Sequence, residues 1–226
     1  TSRILDLLRI TTVLVDPAST KPLPGADSLV RGGTPVPGSP LVRYDYQPRL
    51  PEAFIVGAAR RAAQEEIAAG LSGRSPFDPA ATALVDGDCR RCPGADQPGA
   101  AGTVQSVRRG DGSVDVAVTA DRAGILVLSQ AWFPGWQATV DGRPAPVMRV
   151  DGLVQGIPID PGAHQIHLAY QAPGLRAGAA ITGLTATGLL LYAGAARRRR
   201  RKAIAARDSS SSPSASPGRR AVSASR

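Results

Sequence analysis

The rhythm of hydrophobic and polar positions takes three forms along the chain. In the first stretch, ILDLLRI (residues 4–10) spaces its apolar residues as a short amphipathic helix, while TTVLV (11–15) and AFIVG (53–57) read as short buried strands. AARRAAQEEIAAGL (58–71), rich in Ala and Glu, predicts a helix. Pro/Gly-rich loops such as KPLPGADSLVRGGTPVPGSP separate these pieces and leave the middle of the stretch loose. From about residue 103 the period becomes two. TVQSVRR and VDVAVTA meet through GDGS, which predicts a hairpin because Asp and Gly tolerate positive φ. ILVLSQA, WQATV, VMRV, LVQGIPI and IHLAY follow, separated by turns of Asp, Gly and Pro. Roughly seven strands in about seventy residues is the density of a β-sandwich or jelly roll.

The third rhythm is AGAAITGLTATGLLLYAGAA (177–196), which carries no charge and is followed directly by RRRRRK. As a helix it is about 30 Å long, matching the hydrocarbon core of a bilayer. A soluble buried helix rarely ends in six consecutive cations, whereas a membrane stop does, and arginine clusters stay on the cytoplasmic side. Residues 1–174 are therefore expected outside the membrane and the tail in the cytoplasm. The helix is rich in small residues, with Ala179/Gly183 and Gly183/Thr187 four apart, a spacing that permits close helix–helix approach. It reads as one member of a bundle. The sequence holds no second long apolar stretch and no signal peptide. It is thus expected to be the C-terminal part of a larger polytopic protein, with an upstream transmembrane bundle as the partner of this helix and the lipid bilayer as its surroundings.

The expected fold is α+β. A small extracytoplasmic α+β segment covers 1–100 and an antiparallel, jelly-roll-like β-sandwich covers 101–174. One transmembrane helix covers 175–196, and a basic, disordered cytoplasmic tail, Ser/Ala/Pro-rich toward its end, covers 197–226.

The formal charge of +9 looks at first like a nucleic-acid signal. Residues 197–226, however, hold ten of the 27 Lys and Arg residues and one of the 18 acids, which leaves the other 196 residues balanced at seventeen each. A basic nucleic-acid-binding face on the folded part has no support. The basic run can instead hold anionic headgroups.

Candidate chemistry is sparse. Cys89 and Cys92 form a lone CxxC within Gly/Pro/Asp-rich loop, without the further ligands zinc needs and without the strand-to-helix setting of a redox site. Two readings stay open: a loop-clamping disulfide in an oxidising compartment, or two inert thiols. His164 and His167 fall three apart on a strand, face opposite sides and cannot chelate one metal. Glu65 and Glu66 stand near Arg60 and Arg61 at spacings that favour surface ion pairs. Asp141, Asp151 and Asp160 abut Gly or Pro and read as turn residues, and RGD at 109–111 lies in the predicted hairpin turn. No nucleophile elbow, phosphate-cradling loop or metal-ligand cluster is present, so no catalytic residue, metal or cofactor is expected. The binding candidates are Trp132, Phe133 and Trp136, three rings around a Pro-Gly turn in a chain with only 4% aromatic residues. They either pack over the end of the sandwich or meet a glycan or the membrane interface.

The run from Ile125 to Arg201 resembles the C-terminal end of the YfhO-like bacterial membrane protein family. The resemblance rests on Phe133-Pro134-Gly135-Trp136, Val140-Asp141-Gly142, Arg149-Val150-Asp151-Gly152-Leu153, Pro161-Gly162-Ala163-His164 and Tyr170-Gln171-Ala172-Pro173, followed by the helix and its arginines. Ile4-Leu5-Asp6-Leu7-Leu8 and Leu50-Pro51-Glu52-Ala53-Phe54 also fit, with Glu52 where the family usually has a basic residue. The resemblance implies a multi-span protein similar to the GT-C glycosyltransferases, which take a polyprenyl-phosphate sugar and decorate cell-envelope polymers outside the membrane. In such enzymes the catalytic acid belongs to an early loop, and no position of this chain inherits that role. The implied function is that of an accessory region and last span of such a protein. The alternative is a non-catalytic, membrane-anchored carbohydrate-binding or assembly module whose partner is a cell-envelope glycopolymer.

Overall fold

A computed structural model describes residues 3–18, 33–87, 89 and 92–210. The elements run in chain order as α1 (Arg3–Leu7), β1 (Thr12–Val15), β2 (Thr34–Pro35), β3 (Val42–Asp45), β4 (Ala53–Val56), β5 (Ala58–Arg61), α2 (Gln64–Leu71) and β6 (Thr82–Val85). They continue as β7 (Gly102–Gly110), β8 (Ser113–Ala120), β9 (Gly124–Ala131), β10 (Trp136–Val140), β11 (Arg143–Ala145), β12 (Met148–Val150), β13 (Val154–Ile159), β14 (Gly162–Tyr170) and α3 (Leu175–Ser210). The chain divides into two compact units, Thr1–Ala172 and Pro173–Arg226.

In the first unit two sheets form a sandwich. One has five strands in the order β11-β10-β14-β8-β7; the other has six, β4-β9-β13-β12-β6-β5. A smaller sheet pairs β1, β3 and β2. The five-stranded sheet follows the alternation in the sequence: Val114, Val116 and Val118 of β8 and Ile166 and Leu168 of β14 point inward. They meet Ile55, Leu126, Leu128, Ile157 and Ile159 of the other sheet in one core. Each such fully buried Val, Leu or Ile contributes roughly 1.5–3 kcal/mol.

The six-stranded sheet is covered on both faces. Behind it, Val56, Ile125, Val127, Val150 and Val154 pack with Leu7 and, at the margin, Leu8 and Leu50. Ile67 of α2 joins Ala62 and Leu84 in a satellite cluster. A strand buried on both sides has no polar face, which explains why all six residues of β13 are buried. Residue 100, where the sequence pattern changes, falls inside this unit: β4 pairs with β9, and β6 touches β12.

The helix expected over 58–71 is shorter. Ala58–Arg61 form β5, parallel to β6, and α2 is the crossover between them. Ala58 and Ala59 are small enough to be buried in the sheet, so tertiary pairing overrides the helix propensity of alanine. An Arg60–Glu66 ion pair forms at 2.6 Å between strand and helix, at a spacing of six.

In the second unit, α3 runs through the apolar segment and on through the arginines to Ser210, in keeping with the high helix propensity of Ala, Arg and Lys. Residues 211–226, the rest of the expected tail, lie outside the described residues. Gly178–Arg198 is long and apolar enough to cross a membrane, with mean hydropathy 1.4 and none of its most apolar stretch buried in the fold. Ile181, Leu184, Leu189, Leu190 and Leu191 are all exposed.

Candidate functional site

The residues singled out in the sequence gather at the two ends of the five-stranded sheet. β14 spans that sheet, with His164 near its start and Tyr170 at its end, roughly 20 Å apart at strand rise. The Tyr170 end is where the chain leaves for α3, four residues beyond Gln171.

At this exit end Trp136 opens β10 directly opposite Tyr170, and their rings meet at 5.5 Å with a tilt of 55°. Trp136 also packs against the inter-sheet core. Trp132 engages the other sheet. Its indole N–H donates to the Val147 carbonyl at 3.4 Å, its backbone N–H donates to Leu153, and the Arg149 guanidinium lies over its ring at 5.6 Å. Arg149 is held in turn by Asp86, which also accepts from the Gln64 side-chain amide at 2.7 Å. Phe133, between the two tryptophans, is 59% exposed. The three rings therefore have three different settings and do not form one continuous platform. The turn itself is fastened to the exit segment by a bond from the Gln171 N–H to the Gly135 carbonyl at 2.8 Å.

The far end is polar. Asp141 and Gly142 form the β10–β11 turn, with φ of 53° and 76°; the positive pair matches the twist of a tight hairpin. The Asp141 carboxylate accepts from the Gln165 N–H at 2.9 Å and faces His164 Nδ1 at 2.7 Å. His164 Nε2 faces the Asp160 carbonyl at 3.0 Å. Both ring nitrogens thus meet acceptors, an arrangement that only the doubly protonated imidazolium satisfies in full. The bond to Asp141 accordingly raises the His164 pKa, with the Asp160 carbonyl adding to the effect against the opposing cost of burial. The Gln165 N–H, followed by His164, holds Asp141 below the usual carboxylate range. Beside this clasp lies a cleft of about 340 Å³, lined by Asp141, Arg143, Asp160 and His164 together with the rings of Pro144, Pro146 and Pro158.

In the sequence Asp141 reads as a turn residue and His164 as a strand residue, with nothing to connect them. Their pairing across 23 residues is created by the register of β10 on β14, for which a lone sequence carries no signal beyond the two motifs themselves.

Asp151 is also more than a turn residue. With Gly152 it closes the β12–β13 loop at φ 53° and 68°, and its fully buried carboxylate accepts from the Leu84 N–H at 2.8 Å. Oδ2 has no partner, and burial pushes the carboxyl up to about 7. Asp151 therefore stitches the loop to β6. Asp6 has a similar structural setting, buried and accepting from the Tyr46 hydroxyl at 2.7 Å and the Arg49 N–H at 2.8 Å. Burial, reinforced by the bond to Asp6, pushes Tyr46 up to about 12.

The remaining sequence candidates are structural in setting. Cys89 and Cys92 are joined as a disulfide beside the outer cluster of the six-stranded sheet. Arg109 of the RGD sequence is bound to Glu52 and donates to the Gln130 side chain at 3.1 Å. His167 faces Asp115 on the exposed side of the sheet at 2.6 Å. Among the described residues no group of three or more His, Cys, Asp or Glu is arranged to hold a metal ion.

The motifs at both ends fall within one match. Residues 100–182 fit the family model described as bacterial membrane protein YfhO. This region is thus similar to the YfhO-like bacterial membrane proteins. The YfhO match takes in β7 to β14 and the first two turns of α3, which include the aromatic turn, the Asp141–His164 clasp and Asp151. The strands β4 to β6, which complete the six-stranded sheet, precede the YfhO match. No curated protein and no solved structure matches the chain.

Proposed function

We propose that the chain is the outward-facing accessory region and last membrane span of a glycosyltransferase-type protein. Such a protein would transfer sugar from a polyprenyl-phosphate carrier to cell-envelope polymers. The observation that carries this reading is the join at residues 171–175: a YfhO-like sandwich passes directly into a candidate span that ends in an arginine run. Arginines retained at the cytoplasmic face put residues 1–174 outside, 175–196 in the bilayer and 197–226 within. The catalytic acid then comes from an upstream loop of the same protein, as the family resemblance implies, and this region covers the site and orients the acceptor.

The test uses the native gene. Removal of the coding segment for residues 1–174, with α3 kept, is expected to abolish sugar incorporation into envelope polymer, and a topology reporter at residue 174 is expected to read outside. Unchanged envelope sugar content overturns the glycosyltransferase reading; a cytoplasmic reporter overturns the sidedness.

The far-end cleft favours a second reading, a glycan-binding or assembly module without transfer activity. Asp141, Arg143 and Asp160 offer hydrogen-bonding groups beside proline rings, a lining that suits a hydroxyl-rich ligand. Retention of the full chain on envelope polymer, lost in Arg143→Ala while sugar incorporation stays normal, favours this reading.

A further inference from the structure

The geometry points to a membrane-seating surface at the exit end of the sandwich: Phe133, flanked by Trp132, Trp136 and Tyr170, enters the boundary between lipid headgroups and acyl chains. It rests on the membrane anchoring proposed above only in requiring α3 to be inserted.

Two observations carry it. The first is exposure. Phe133 is 59% and Tyr170 43% exposed, whereas the other large apolar residues of the two sandwich sheets are buried or partly buried. Several polar groups nearby already have partners: Arg149 is bound to Asp86, Arg109 to Glu52 and Gln130, and the Trp132 indole N–H to Val147, while Asp111 of the β7–β8 turn is exposed to solvent. Paired cations and unburied rings suit shallow seating, with Asp111 left among the hydrated headgroups, and Trp and Tyr concentrate at the headgroup level of bilayers.

The second observation is tether length. The aromatic turn is hydrogen-bonded to Gln171 through Gly135, and Tyr170 is bonded through its N–H to Gly112 of the β7–β8 turn. The start of α3 at Leu175 lies four residues after Gln171, so even a fully extended link reaches about 14 Å. With the span inserted, a turn held at the root of so short a link stays within reach of the interface. A glycan platform would need open ring faces, and here Trp132 is covered by Arg149 and Trp136 leans on Tyr170.

The chain offers its own probe, because Trp132 and Trp136 are its only two tryptophans and both lie in this turn. The full chain is reconstituted into phosphatidylethanolamine–phosphatidylglycerol vesicles carrying brominated acyl chains, and insertion is checked by flotation after alkaline extraction. Bromines near the headgroup end of the acyl chain are expected to quench tryptophan emission more than bromines near the bilayer centre. Phe133→Ser is expected to weaken that quenching about threefold to tenfold, while Phe133→Leu, which keeps an apolar side chain, retains it. Circular dichroism unchanged in both variants excludes unfolding as the cause. A chain that floats with the vesicles and shows no quenching overturns the inference and leaves the anchoring intact. A chain that fails to float overturns both. An emission shift produced by soluble envelope polymer in place of lipid also overturns it, in favour of a glycan surface.

Discussion

The two ends of the five-stranded sheet are built from the same strands and behave as opposites. At the exit end, Trp136 and Tyr170 lean on each other and Phe133 is mostly exposed. At the far end, Asp141, His164, Gln165 and Asp160 satisfy one another within two turns. The polar end is internally complete as a clasp, and its cleft is an addition to a closed network. The apolar end ties its turn to Gln171 and Gly112 by backbone hydrogen bonds but leaves rings in water. Motif residues of equal prominence in the sequence thus have different reasons to be there: some close the fold, and others point away from it.

The largest effect should come from the strand that joins the two ends. Ile166→Ala, in the middle of β14 and buried between the sheets, is expected to destabilise the unit by about 2–5 kcal/mol, read by chemical denaturation. Loss confined to one end would show that the two ends unfold independently. Next is Trp136→Ala, expected to cost about 3 kcal/mol as a large, partly buried aromatic, with Trp136→Phe recovering most of it. A cost below about 0.5 kcal/mol would mean that Trp136 belongs with Phe133 as a surface residue.

The third prediction concerns pH. A raised His164 pKa means that its contribution is fully present below the unfolded value of 6.5 and is lost as pH rises through the folded value. A lowered Asp141 pKa means that its contribution is present above 3.8 and is lost as pH falls through the folded value. The clasp therefore stabilises most between these two limits. The difference in unfolding midpoint between the parent and His164→Gln should be greatest near pH 5 and shrink in alkaline buffer. A difference independent of pH would break the imidazolium assignment. Asp151 runs the other way from an ordinary carboxylate: with a folded pKa of about 7, it lowers stability as pH rises from 3.8 towards 7. Asp151→Asn should remove that part of the pH slope. The smallest effect is expected from Phe133→Ser, within about 0.5 kcal/mol in the absence of lipid, since an exposed ring supports little of the fold.

The contrast between the ends also marks how far the sequence could be read. β11 was hidden in the turn after Asp141-Gly142. β7, β8, β10 and β14 were legible because one face of their sheet is solvated and period-two alternation survives, and β9 and β13 as apolar runs bounded by turns. β5 was not, because Ala58-Ala59-Arg60-Arg61 carries the composition of a helix and becomes a strand only beside β6. β2, β3 and β6 lie among loop-like residues; β3 and β6 are fixed by the distant partners β1 and β12, and β2 by its local pairing with β3. The candidate aromatics were visible as residues, but their different settings depend on Arg149, Val147 and Tyr170, none of which the local pattern links to them. The clasp was visible only as a turn residue and an unrelated strand histidine.

One feature of the topology bears on mechanics. β14, the strand that leads to α3, lies between β10 and β8 and is paired along both edges, with β8 over residues 162–169 and with β10 over residues 166–170. A pull transmitted along this strand from the membrane loads those two ladders in shear, many hydrogen bonds together, where a hairpin tethered at an edge strand would open one bond at a time. With α3 inserted as proposed, the sandwich hangs from a strand paired along both edges, so drag on the span should load the unit as a body before it unravels any part of it.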